Sequence, residues 1–281
     1  MSVRAPSLAI VASLLSVGQA AAQSAPAAQP PVLQTIEAEG TQFKVTMSDG
    51  RVLRSPQLVG ATLVIAAGGG TVRLRIDAVE RDPEDTRADR PASDVVWLHT
   101  FSVLGADGNA QNFCTAGPDG RRQGFPLAGR STPQGDFKPA EPGVFELVCT
   151  SGAQGKCVRF GYLPWSRATD GTGLHEAYNA CTRMVRGDYG GQGKPFTKDG
   201  MRIDVYDRFG VQTAENDTAD AFEAGWSPDG AVCVHHVRVK ENTTLAELEA
   251  AFPRLKGRTG TICTEDYARA QGAVVFNRSR P

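Results

Sequence analysis

The chain has 281 residues, of which 41% are hydrophobic and 22% charged, with 30 Lys plus Arg set against 31 Asp plus Glu. That balance excludes collagen-like, coiled-coil and wholly disordered chains, and the absence of a basic excess argues against nucleic acid as a dominant partner. Six cysteines with 31 Gly and 17 Pro point instead to a loop-rich, β-rich exported protein.

The first segment reads as an export signal. Met1 to Arg4 is a short cationic start, Ala5 to Val17 is apolar with no acidic residue, and Ala20-Ala21-Ala22 offers the small residues a signal peptidase needs. The apolar run is too short to span about 30 Å of hydrocarbon, so no membrane anchor is expected in the mature chain. The expected layout is a signal peptide over 1–22, an Ala/Pro/Gln-rich flexible leader over 23–40, a β-rich region over 41–143 and a second region over 144–281, the last two packed as one unit.

From Thr41 the apolar period is two. Phe43, Val45 and Met47 alternate with polar residues, Asp49-Gly50 turns, and Val52-Leu53 returns, which predicts a hairpin. Val72, Leu74, Ile76 and Ala78 predict a half-buried antiparallel strand, and Trp97, His99, Phe101 and Val103 another. Arg81 to Ser93, charged and Pro-containing, reads as a solvated loop, and Gln111 to Pro142 as a long exposed connection. Asp-Gly occurs at Asp49, Asp107, Asp119, Asp170, Asp199 and Asp229, so hairpin turns should be frequent; their uneven spacing excludes a propeller.

A helical period first becomes visible after Gly173. Leu174, Ala177, Tyr178, Cys181, Met184 and Val185 share one face, and Gly187 stops the helix. Met201, Ile203 and Val205 resume strand alternation, as do residues 232–237. Thr244 with Glu247 is a capping box ahead of Leu245, Leu248 and Phe252, Thr264 caps another short helix, and Ala273 to Phe276 closes the chain as a strand. The expected class is β-rich α+β: antiparallel hairpins with a few short helices, stapled by disulfides.

An oxidising compartment favours pairing of Cys114, Cys149, Cys157, Cys181, Cys233 and Cys263. Cys233 with Cys263 is the preferred pair, joining a strand to the start of a late helix. Cys149 with Cys157 could close the short Gly-rich link between two strands, leaving Cys114 and Cys181.

Several blocks carry a resemblance. Lys156-Cys157-Val158-Arg159-Phe160-Gly161-Tyr162-Leu163-Pro164-Trp165 is followed by Ala180-Cys181-Thr182-Arg183-Met184-Val185-Arg186-Gly187-Asp188-Tyr189-Gly190. Asp199 to Asp207, Phe222 to Trp226 and Pro228 to Cys233 come next in order. Together they resemble the ADYC-motif domain family, exported bacterial proteins of uncharacterised function. Where that family reads Ala-Asp-Tyr-Cys, this chain reads Gly187-Asp188-Tyr189-Gly190, so the motif cysteine is replaced by Gly190. The resemblance implies no substrate, cofactor or catalytic residue.

The chemistry must then be sought residue by residue. No Gly-x-Ser-x-Gly, His-Glu-x-x-His or phosphate loop occurs, so no cofactor or metal is expected. His235 and His236 point to opposite faces of a strand, and Asp199, Asp204 and Asp207 lack EF-hand spacing and read better as turn acids or partners of arginines. Arg183, Arg186 and Tyr189 are candidates for clamping an anionic ligand. The favoured reading is a non-catalytic binding or envelope structural module; the alternative is a secreted hydrolase using His175, Asp188 or His235 beside the 174–187 helix.

Overall fold

Short strands bounded by turns assemble here into antiparallel sheets that bury their apolar rows against one another and against two helices. The computed structural model describes residues 30–67, 70–85, 87, 91–139, 141–215, 217 and 219–280. The expected signal peptide and residues 23–29 of the leader lie outside the described residues. The rest of the leader does not stay free: β1 (Leu33–Glu39) pairs with β2 (Gln42–Met47), and β3 (Val52–Arg54) completes a three-stranded sheet. Its buried row, Phe43 and Val45, packs on Leu63, Leu74, Ile76 and Phe101.

Those residues belong to a six-stranded sheet. β4 (Thr62–Ala67), β5 (Gly70–Arg81), β6 (Trp97–Leu104), β8 (Gly124–Ala128) and β11 (Phe145–Cys149) run in that order across it, and β7 (Ala110–Asn112) extends β6. A separate two-stranded ladder joins β9 (Arg130–Ser131) to β10 (Phe137–Lys138). The expected exposed connection over 111–142 is therefore corrected. Four short strands run through it, and Phe125, Leu127 and Phe137 are buried. Sparse apolar residues hid them, because each strand is only two to five residues long.

The second correction is a helix where a link between strands was expected, α1 (Ala153–Arg159). It packs on α2 (His175–Arg186), whose expected face is buried throughout, and Gly187 ends α2 with φ 61°, in the left-handed region that glycine tolerates. α2 then packs on a four-stranded sheet ordered β12 (Asp204–Asp207), β15 (Val275–Ser279), β13 (Ala221–Ser227) and β14 (Gly230–Val234). Alternation along β12 and β15 sends Val205 and Val275 to the α2 side. Tyr206 and Phe276 face the opposite cluster, which includes Ala268 of α4 (Glu265–Ala270). α3 (Leu245–Ala251) begins with the expected box, the Thr244 hydroxyl accepting from Glu247 N–H and the Glu247 carboxylate accepting from Thr244 N–H. The β-rich α+β class is the class observed.

All six cysteines are paired, as Cys114–Cys149, Cys157–Cys181 and Cys233–Cys263. The preferred pair is present. The Cys149–Cys157 alternative is not, because α1 turns Cys157 toward α2, while Cys149 ends β11 opposite Gly124. The missing side chain at Gly124 makes room for Cys114 Sγ, which lies 3.0 Å from where a Cβ would stand. Among the described residues no helix is long and apolar enough to cross a membrane. The three disulfides are consistent with an exported protein.

Candidate functional site

α2 and the turn that follows it carry most of the nominated residues. Gly187 reverses the backbone, so Asp188 N–H donates to the Arg183 carbonyl at 2.9 Å and the Asp188 carboxylate swings back toward the Arg183 guanidinium at 2.6 Å. Gln192 and Gly193 N–H donate to the same carboxylate at 3.1 and 2.7 Å. Arg183 also bonds Asp136 and the carbonyls of Gln134 and Pro228. With Arg183 2% and Asp188 0% exposed, this pair ties three loops to the end of α2 and leaves no atom free for a ligand.

Tyr189 enters a second buried hub. Its ring stacks on Trp226 at 5.3 Å, its hydroxyl donates to Glu223 at 2.9 Å, and that hydroxyl accepts from Arg238 N–H at 3.2 Å. The Glu223 carboxylate also accepts from the Arg238 guanidinium at 2.7 Å, Asn277 at 2.7 Å and Ser279 at 2.6 Å. Burial would push the Glu223 carboxyl up, but the Arg238 charge and these donors outweigh it and hold it below the usual range. Burial in turn drives the Tyr189 phenol well above its ordinary value, reinforced by the Glu223 charge. Beside this hub a side chain at Gly190 would overlap the Phe252 ring, so Phe252 fills the space over the motif's last position.

The two nominated histidines sit elsewhere. His175 opens α2, where Asn179 Nδ2 donates to its Nε2 at 3.2 Å; Asn179 also bonds the Phe137 backbone in both directions. Burial lowers the His175 pKa, and Lys138 adds to the effect. His235 bonds the Cys263 carbonyl through Nδ1 at 3.1 Å. Among the described residues no hydrogen bond or ion pair links His175, Asp188 and His235, whereas Arg183 and Asp188 meet directly. No group of three or more His, Cys, Asp or Glu among those residues is arranged to hold a metal ion. Asp207 accepts from Tyr162 and from the Phe209, Val211 and Gln212 amides, and Arg202 pairs with Glu215, Asp217 and Asp220.

Arg186 is the nominated residue that reaches an open space. It lines a cleft of about 610 Å³ between α1, the end of α2 and the 195–203 loop. The loop is held there because Phe196 N–H donates to the Arg186 carbonyl at 3.2 Å. Phe160, Val185, Met201 and Ile203 supply apolar lining; Lys156, Arg159 and Lys198 supply charge. Arg159 anchors one wall by pairing with Asp82 and Glu84 at 2.7 Å and with Asp119 at 2.9 Å. Asp82 is 4% exposed, so the loop after Arg81 begins buried rather than solvated. Sequence reading missed Lys156 and Lys198; as single lysines in polar stretches they carry no signal before the fold is known.

Two comparisons found nothing: no curated protein and no solved structure matches the chain. A family model does match, over residues 55–240, and its description is ADYC domain.

Proposed function

The chain belongs to the ADYC domain family, and from that premise we propose that it is an exported, non-catalytic binding module whose ligand enters the cleft between α1, the end of α2 and the 195–203 loop. The observation that carries this reading is the cleft itself. Its volume of about 610 Å³ and its mixed apolar and polar lining suit a small molecule. Its floor is built from α1 and α2, which the Cys157–Cys181 disulfide joins, so the walls are held ready before binding.

The hydrolase alternative asks Asp188, His175 or His235 to act on substrate. Asp188 is fully buried and already accepts three hydrogen bonds, and the two histidines bond separate partners. None of the three lines the cleft. A purely structural role in the envelope would leave the cleft without an occupant.

Two experiments test the proposal. Amide chemical shifts of the mature, oxidised chain, recorded against a library of small polar and apolar fragments, should move at residues 150–160 and 195–203; shifts scattered over the surface would sink it. N-terminal sequencing of the protein recovered from its native compartment should begin at Gln23, with all six cysteines blocked to alkylation unless a reductant is added. An intact Met1 with free thiols would reject export.

A further inference from the structure

The cleft's charges are unequally committed. Of its lining carboxylates, Glu84 and Asp119 are both bound to Arg159, whose guanidinium is shared with buried Asp82 as well. Asp199 is the one lining carboxylate outside that cluster. The other three cations, Lys156, Arg186 and Lys198, have no carboxylate partner among the described residues. Arg186 is the most telling. Its Nη2 donates to the Gly193 carbonyl, while its Nε is buried and has no hydrogen-bond partner. A nitrogen closed to water is closed to a ligand in the cleft as well, so what Arg186 brings to the cleft is a charge with no carboxylate beside it. A guanidinium also presents its donors in a planar fork that matches a carboxylate or a phosphate.

The geometry points to an anionic ligand: a small molecule with a carboxylate or phosphate head bound by Arg186, Lys156 and Lys198. Its apolar body lies against Phe160, Val185, Met201 and Ile203. This rests on the cleft being a binding site and adds the chemical class of what it binds. A single anion answers these free charges together. A neutral polar molecule would leave the three cations without a counter-charge, and a cation would be repelled.

Three probes with the same apolar part separate the possibilities: phenyl phosphate, 3-phenylpropanoate and the neutral 3-phenylpropanol. Each is titrated into the mature oxidised protein while amide shifts and heats of binding are recorded. At least one of the two anions should move the amides of residues 152–160 and 195–203 and bind tenfold or more tighter than the alcohol, about 1.4 kcal/mol. That preference should shrink as salt is raised. The K156A/K198A double variant should lose it while keeping the wild-type melting temperature, since neither lysine makes an ion pair among the described residues. R186K should also weaken the anions, because an ammonium lacks the fork. Which anion binds tighter distinguishes a phosphate head from a carboxylate head. If the alcohol binds the cleft as tightly as both anions, the anionic class is wrong although the cleft still binds ligands. If no probe and no library fragment moves the cleft amides, the binding reading itself falls.

Discussion

Two buried polar places in this molecule solve the same problem in opposite ways. In the N-terminal half, His99 on β6 is fully buried, its ring stacked on Phe101 at 5.2 Å and edge-on to Phe43 at 5.7 Å. Neither ring nitrogen has a hydrogen-bond partner. Burial drives its pKa down from 6.5 to about 4; the nearby backbone of Gly124 and Trp97 opposes this without forming a hydrogen bond of ordinary geometry. In the C-terminal half, Glu223 and Arg238 are equally buried but remain a charged pair, surrounded by Tyr189, Asn277 and Ser279. One half meets the cost of burial by staying neutral, the other by supplying every partner. The first arrangement is vulnerable to protons, the second to the loss of a partner.

The largest effect should come from breaking the pair on one side. Glu223→Leu leaves the Arg238 guanidinium buried and uncompensated, which should destabilise the protein by about 3–5 kcal/mol. Urea unfolding followed by tryptophan fluorescence would read it, since Trp226 stacks on Tyr189 within the hub. Adding Arg238→Met should restore much of the loss, because two apolar side chains no longer require a counter-charge. A single variant costing under about 1 kcal/mol would show that water or a rearranged partner rescues Arg238, and the contrast with His99 would disappear.

Next is the proton. With a folded pKa near 4 and an ordinary value of 6.5, His99 binds fewer protons folded than unfolded between those values. Stability should therefore rise with pH across that window, and its contribution should be complete above pH 6.5 and lost toward pH 4. The expected swing is about 3 kcal/mol. His175 and His236 are also lowered by burial and act with the same sign, so the difference between wild type and His99→Leu isolates the effect. Denaturation midpoints at pH 4.5 and 7.5 should lie closer together in the variant. An unchanged separation would mean that His99 titrates normally and its surroundings are wetter than the fold suggests.

The contrast also explains what could be read in advance. α2 was legible because six apolar residues, from Leu174 to Val185, repeat at helical spacing and Gly187 ends the run. The Thr244 box and the Cys233–Cys263 pair were legible for similarly local reasons. α1 was not, since its seven residues Ala-Gln-Gly-Lys-Cys-Val-Arg show no stripe and contain a glycine. Its burial against α2 and β11 decides its form. Cys114–Cys149 was hidden for the same reason, because it depends on β8 placing Gly124 beside both cysteines. Of the cleft, only Arg186 could be named from sequence. Arg183 and Tyr189 looked equally available, and only the fold shows them committed to Asp188 and Glu223, which lie five and thirty-four positions away. Partners that far apart leave no periodic trace.

The smallest effect tests how far the second hub depends on any one neighbour. Tyr189→Phe removes the hydroxyl that donates to Glu223 and accepts from Arg238 N–H, while leaving the ring on Trp226. Glu223 keeps its bonds from Arg238, Asn277 and Ser279, so its charge remains compensated. The unmet group is the Arg238 backbone N–H, and one unsatisfied buried donor should cost about 1–2 kcal/mol. The loss should be nearly independent of pH between 5 and 8, because the phenol is held protonated far above its ordinary value and the carboxyl is held ionised below it. Urea midpoints at the two ends of that range would check this. A cost that grew as the pH fell would show that Glu223 needs the tyrosine hydroxyl to stay charged, and the hub would then share the proton sensitivity of His99.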